Sequence, residues 1–213
     1  MNDNDLELAQ LLCTRLCHDL AGPIGAVAAG VELIGGDPSA ADAETLSLIG
    51  DSSTAASLKL KFVRAALGSS AAGALDMENL LDGYLGATTG GDGKPKVQWP
   101  APAAFERFAG AAGATWRQSV LNLCLAALEM QPGCKELSVS AEESALRIQA
   151  KGQSMRSMAR RDELEAALVG KTAGKDLNAK TIQAFLAGRM VRAAGCMIAV
   201  ESEEGAVAVV VRF

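Results

Sequence analysis

His18 is the single histidine among 213 residues, and it stands in the run Arg15-Leu16-Cys17-His18-Asp19-Leu20-Ala21-Gly22-Pro23. A neutral imidazole presents a ring nitrogen that can attack an electrophile. Its acidic neighbour, Asp19, can orient the ring or take its proton. Arg15, one helical turn earlier, can steady the negative charge of a phosphoryl group. Cys13, Cys17 and His18 also invite a metal reading, but no second pair of ligands follows at a suitable spacing, and a closed zinc site needs four. The chain has five cysteines. Their odd number and scatter do not form a disulfide framework, and burial as small hydrophobes is the expectation for them.

The element that carries His18 reads as one long helix over residues 5–34. Leu8, Leu12, Leu16, Leu20, Ile24, Val27, Val31 and Ile34 recur at steps of three and four. At about 100° per residue, His18 points away from that stripe. It shares its face with Leu11, Thr14 and Arg15 on one side and Ala21, Gly22 and Gly25 on the other, a flat area where another protein's backbone can come close. A helical glycine costs about 1 kcal/mol relative to alanine, so Gly22, Gly25 and Gly30 need a compensating close approach. Pro23 cannot donate to the Asp19 carbonyl, which predicts a bend one turn below the histidine.

Gly35-Gly36-Asp37-Pro38 breaks the pattern, with Asp37 as the cap and Pro38 in the first turn of a second helix over 38–67. Its stripe is Leu46, Ile49, Ser53, Ala56, Leu60, Val63 and Leu67. Two long helices joined by a short loop form an antiparallel hairpin. A hairpin alone cannot bury two continuous stripes, so a homodimer completing a four-helix bundle is expected. The alternative is packing against the rest of the same chain.

The texture changes near residues 68–75, where a domain boundary is expected between a hairpin domain over 1–70 and a second domain over 75–213. The second domain reads as a short helix at 76–86, a strand at 97–99, an apolar helix at 114–130, a hairpin of strands at 136–140 and 145–150, helices at 162–169 and 179–194, and a terminal hairpin at 197–201 and 206–212. This is an α+β pattern. A net charge of −5 without a basic stretch argues against nucleic acid. No run of roughly 18 uncharged apolar residues suggests a membrane span. The acidic N-terminus does not resemble a signal peptide, which leaves the cytoplasm as the expected compartment.

The stretch His18-Asp19-Leu20-Ala21-Gly22-Pro23 resembles the H-box of dimeric sensor histidine kinases, and the order of hairpin then α+β domain resembles their plan. The second half departs from the kinase pattern. Asn122 occupies the first N-box position, but Ala126 replaces the magnesium-binding asparagine. Ala150-Lys151-Gly152-Gln153-Ser154 lacks the adenine-reading acid and one glycine. The segment 178–184, where a phosphate-cradling loop is expected, has no glycine.

The combination is similar to the ChpT-type histidine phosphotransferases of alphaproteobacterial cell-cycle phosphorelays. Leu16-Cys17-His18-Asp19, Asp37-Pro38-Ser39 and Val191-Arg192-Ala193-Ala194-Gly195 strengthen the likeness. The resemblance implies a helical-hairpin dimer followed by a degenerate kinase-like ATPase sandwich. It implies reversible phosphoryl transfer through His18, from the receiver of a CckA-type hybrid kinase to CtrA-type and CpdR-type response regulators. The chain would bind no cofactor, and the receiver would supply magnesium. Gly22 occupies the place where kinases with phosphatase activity carry Thr or Asn, which implies relay rather than phosphatase chemistry. A divergent ATP-dependent kinase and a non-catalytic dimeric adaptor are the competing readings. Docking a receiver needs about 1,200 Å² or more, so the second domain is expected to share that contact.

Overall fold

The fold is described from a computed structural model that covers residues 3–37, 39, 41–68, 76–90, 93–153 and 158–213. Helix α1 spans Asp3–Gly36 and α2 spans Ala43–Leu67, packed as the expected antiparallel pair. Gly30 permits that packing, because a β-carbon there would lie 2.5 Å from Ile49 Cγ1. The second helix starts later than the sequence pattern indicates. Asp42 is its cap and accepts from the Thr45 amide at 2.8 Å. Asp37 instead folds a local turn, accepting from the Ser39 amide at 2.9 Å and the Ser39 hydroxyl at 2.7 Å. Pro38, the expected first-turn residue, lies outside the described residues, as does most of the 68–75 boundary.

Helix α3 (Met77–Thr89) is capped by Asp76, whose side chain accepts from the Asn79 amide at 3.0 Å. Strand β1 (Lys96–Gln98), helix α4 (Glu106–Ala112) and helix α5 (Trp116–Met130) follow. The remaining elements are β2 (Cys134–Ala141), β3 (Ala145–Gly152), α6 (Met158–Val169), α7 (Ile182–Ala193), β4 (Met197–Glu203) and β5 (Ala206–Arg212). The sheet order is β1-β2-β3-β5-β4. β1 runs parallel to β2, and the other neighbouring pairs are antiparallel. The chain is therefore α+β, a hairpin followed by a mixed-sheet layer. The β4–β5 turn closes on Gly205, which has a φ of 71°. Such a left-handed conformation suits glycine.

Helix α5 lies across β2, β3 and β5, and α6 and α7 lie against β4. Leu137, Leu146, Ile148, Val207, Val209 and Val211 fill the helix-covered face of the sheet. The core does not stop at the expected domain boundary. Phe62, Ala65 and Ala66 of α2 are buried in the same cluster, and Leu8, Leu11 and Leu12 of α1 pack against it. One end of the hairpin is thus held by its own chain. The rest is bare: Ile24, Val31, Leu33, Leu46, Leu48 and Leu60 are each 52–57% exposed.

By length and composition, residues 5–36 do reach the range of a membrane span. In the structure this helix pairs with α2 and carries the Arg15–Asp19 ion pair.

Candidate functional site

Pro23 sits inside α1, which continues through it. Proline has no amide hydrogen, so the carbonyl four residues earlier loses its helical donor. That carbonyl belongs to Asp19, and the Lys59 ammonium on α2 donates to it at 3.3 Å. The proline therefore brings a cation from the second helix to the backbone beside the histidine.

The His18 side chain is 84% exposed. Its Nδ1 lies 3.3 Å from Asp19 Oδ1. The other oxygen of the same carboxylate, Oδ2, accepts from Arg15 Nε at 2.9 Å. Arg15 then leaves the hairpin. Its Nη2 donates to Glu129 Oε1 on α5, and its Nη1 lies 3.4 Å from the Ala179 carbonyl. Four side chains thus run in order from solvent to interior: His18, Asp19, Arg15, Glu129. Glu129 was not singled out in the sequence, although it is a charge near the end of the apolar α5.

Burial works against these charges to different extents. It opposes the charge on Arg15, but Glu129 and Asp19 outweigh it and hold the guanidinium firmly protonated. Burial pushes the Glu129 carboxyl up against the pull of Arg15. Glu129 Oε2 is buried with no hydrogen-bond partner among the described residues. Tyr84 is pushed up to about 12, first by burial and then by the Asp19 charge.

The expected landing area divides in two. Thr14, Ala21, Gly22 and Gly25 are exposed around His18. A β-carbon on Gly22 or Gly25 would meet nothing within 4 Å, so packing within the chain does not account for these glycines as it does for Gly30. Leu11, by contrast, packs against the core. Arg15 is held by two carboxylates, which makes it a strut between α1 and α5 in this structure. The cysteine expectation needs correction: Cys13 and Cys17 are exposed on the outward side of α1, while Cys124, Cys134 and Cys196 are buried. No group of metal-binding side chains forms among the described residues.

The kinase-type positions have structural occupations. Asn122 is fully buried. Its Nδ2 donates to the Ala66 and Gln118 carbonyls, each at 2.7 Å, and its Oδ1 accepts from Gln183 Nε2. It ties α2, α5 and α7 together. Ala126 and Ala150 are fully buried core residues. Ser154 lies outside the described residues.

A helical hairpin bearing an acid-paired, solvent-facing imidazole, joined to a mixed-sheet layer, is the architecture of a protein histidine phosphotransferase. Residues 75–206 match the histidine phosphotransferase C-terminal domain, and the chain belongs to that family. Over 99 residues it is 33% identical to the protein phosphotransferase ChpT of Brucella abortus (strain 2308). That alignment spans 44% of this chain and 44% of the relative. The fold is shared with a bacterial phosphotransferase whose structure was solved at 1.7 Å, with a TM-score of 0.73 and 23% identity. The superposition covers 100% of this chain and 98% of that one.

Proposed function

We propose that the protein is a histidine phosphotransferase of a multistep phosphorelay, with His18 as phosphoacceptor. The observation that carries this reading is the pairing of His18 Nδ1 with Asp19 Oδ1, on a ring otherwise open to solvent. With its hydrogen on Nδ1 donated to Asp19, the ring keeps the Nε2 lone pair outward. The carboxylate then plays the orienting role that a triad aspartate plays for its histidine.

The transfer balances simply. The Nε2 lone pair attacks the phosphorus of a receiver's aspartyl phosphate. An N–P bond forms, the O–P bond breaks, and the receiver carboxylate leaves with that electron pair. The ring gains positive charge, which Asp19 stabilises through the Nδ1 hydrogen. In the onward step a second receiver's carboxylate attacks phosphorus and the neutral imidazole leaves. Phosphoryl transfer depends mainly on positioning and charge, so the receiver supplies magnesium and this chain binds no cofactor. The donor is the receiver of a CckA-type hybrid kinase and the acceptors are CtrA-type and CpdR-type regulators, in the cytoplasm and without nucleic acid or membrane. The structural use of Asn122 and the buried Ala126 and Ala150 support transfer without ATP.

The partner protein sits over Thr14, Ala21, Gly22 and Gly25, with Leu11 and Arg15 behind them. The exposed apolar residues of the hairpin support a homodimer, because apolar surface of this kind is usually covered by a partner. A Val31→Glu/Leu46→Glu variant sediments as a monomer if these residues form the dimer seam, and an unchanged dimer contradicts that assignment. The function is tested by reconstituting transfer between two receivers. Wild-type protein carries the phosphoryl group across and His18→Gln does not. Equal transfer by both favours an adaptor.

A further inference from the structure

We infer that Glu129, on α5 of the C-terminal layer, is a positioning residue for the His18 imidazole, acting through Arg15 and Asp19. This rests on the proposed role of His18 and adds a residue 114 positions from Arg15 to the same site.

The sequence of contacts requires a fixed Arg15. Asp19 divides its oxygens, Oδ2 to Arg15 Nε and Oδ1 to His18 Nδ1. Only while Oδ2 is held does Oδ1 keep facing the ring. Within α1 alone, Arg15 and Asp19 are an i,i+4 pair worth only about 0.3–0.5 kcal/mol. Such a pair breaks often, because both side chains regain rotamer freedom when it opens. Glu129 and the Ala179 carbonyl take the other two arms of the guanidinium. A planar fork bound on all arms has one orientation, and the Nε–H then points at Asp19. Glu129 is a sound anchor because its helical neighbours Leu125, Ala126, Ala127 and Met130 are buried. Other ionisable groups close to this line are Lys59, beside Asp19, Tyr84, which feels the charges of Asp19, Arg15 and Glu129, and Arg160, whose charge acts on Glu129. The state of the ring on the hairpin is therefore set from the second domain.

The single histidine makes the test direct, since one imidazole gives all the histidine ring signals in a nitrogen-15 spectrum. Full-length wild type, Glu129→Gln, Arg15→Lys and Asp19→Asn are compared at a pH where the ring is neutral. Wild type shows the hydrogen mainly on Nδ1. In Glu129→Gln the Nδ1–H to Nε2–H ratio falls about fivefold, the loss of one modest hydrogen bond. Asp19→Asn lowers it at least as far, and adding Glu129→Gln to Asp19→Asn changes nothing more. Arg15→Lys keeps the charge but loses the fork and repeats the shift, which covers the case in which Glu129→Gln does not fold. An unchanged ratio in folded Glu129→Gln, or in Arg15→Lys where Glu129→Gln does not fold, overturns the inference. If wild type takes no phosphoryl group from a receiver, the functional proposal fails while the tautomer result still decides this one.

Discussion

The Lys59 ammonium lies 3.3 Å from the Asp19 carbonyl, and that carbonyl is the one Pro23 leaves without a helical donor. A helix interrupted by proline must find a substitute donor or leave an acceptor short. Here the substitute comes from the opposite arm of the hairpin and lands one residue from the histidine.

Removing that donor therefore costs more than an average surface change. Lys59→Met lowers stability by about 1.5–3 kcal/mol, the range for a hydrogen bond to a charged donor. Pro23→Ala restores the amide and makes Lys59→Met nearly neutral. A urea-unfolding double-mutant cycle measures the difference, and additive costs contradict the coupling.

Glu129 gives stability a distinct pH dependence. Burial raises its carboxyl in the folded chain, whereas in the unfolded chain it titrates near about 4.3. The native state therefore binds this proton more tightly than the unfolded state. The stability that proton contributes is present in full below about 4.3 and is lost as pH rises through the raised native value. Unfolding free energies of wild type minus Glu129→Gln should fall across that window and level off above it. A difference that rises with pH has the wrong sign for a raised carboxyl.

Asn122 is expected to act on folding and not on nucleotide. Asn122→Ala leaves the Ala66 carbonyl and the Gln183 amide without their partner. Losing such buried pairings costs about 2–3 kcal/mol, read by denaturation. Isothermal titration with ATP and magnesium should be flat for both wild type and variant. Saturable binding lost in the variant would restore a kinase reading.

Gly22 and Gly25 separate stability from function. Each has open space where a β-carbon would go, so alanine at either stabilises α1 by about 0.5–1 kcal/mol. If the partner backbone approaches there as proposed, Gly22→Ala and Gly25→Ala should melt higher and accept the phosphoryl group more slowly. Faster or unchanged transfer contradicts a close backbone approach at those two positions.

Much of this is legible in the sequence alone. The period of the apolar residues placed both long helices, and His18 could be turned to solvent from Leu16 alone. The missing donor at Pro23 was legible too, but its substitute was not. Lys59 is 40 positions away from Asp19, and only the packed hairpin shows that its reach suffices. The role of Arg15 escaped for a similar reason. An arginine near a phosphoacceptor invites a phosphate-binding reading, while its carboxylate partner lies on another helix. The parallel β1–β2 pairing was also hidden, because a three-residue strand carries too little pattern to choose a neighbour. Helix α4 was hidden by the Ala, Gly and Pro content around it. Cys13 and Cys17 were misplaced because composition favours burial for cysteine and says nothing of which helical face is bare.

The most direct measurement locates the phosphoryl group after the protein is mixed with a phosphorylated receiver. Phosphorus NMR and peptide mapping should show an N–P bond at Nε2 of His18, formed from the receiver and not from ATP. A phosphoryl group that arrives from ATP without a receiver, or that settles on any residue other than His18, would contradict the account.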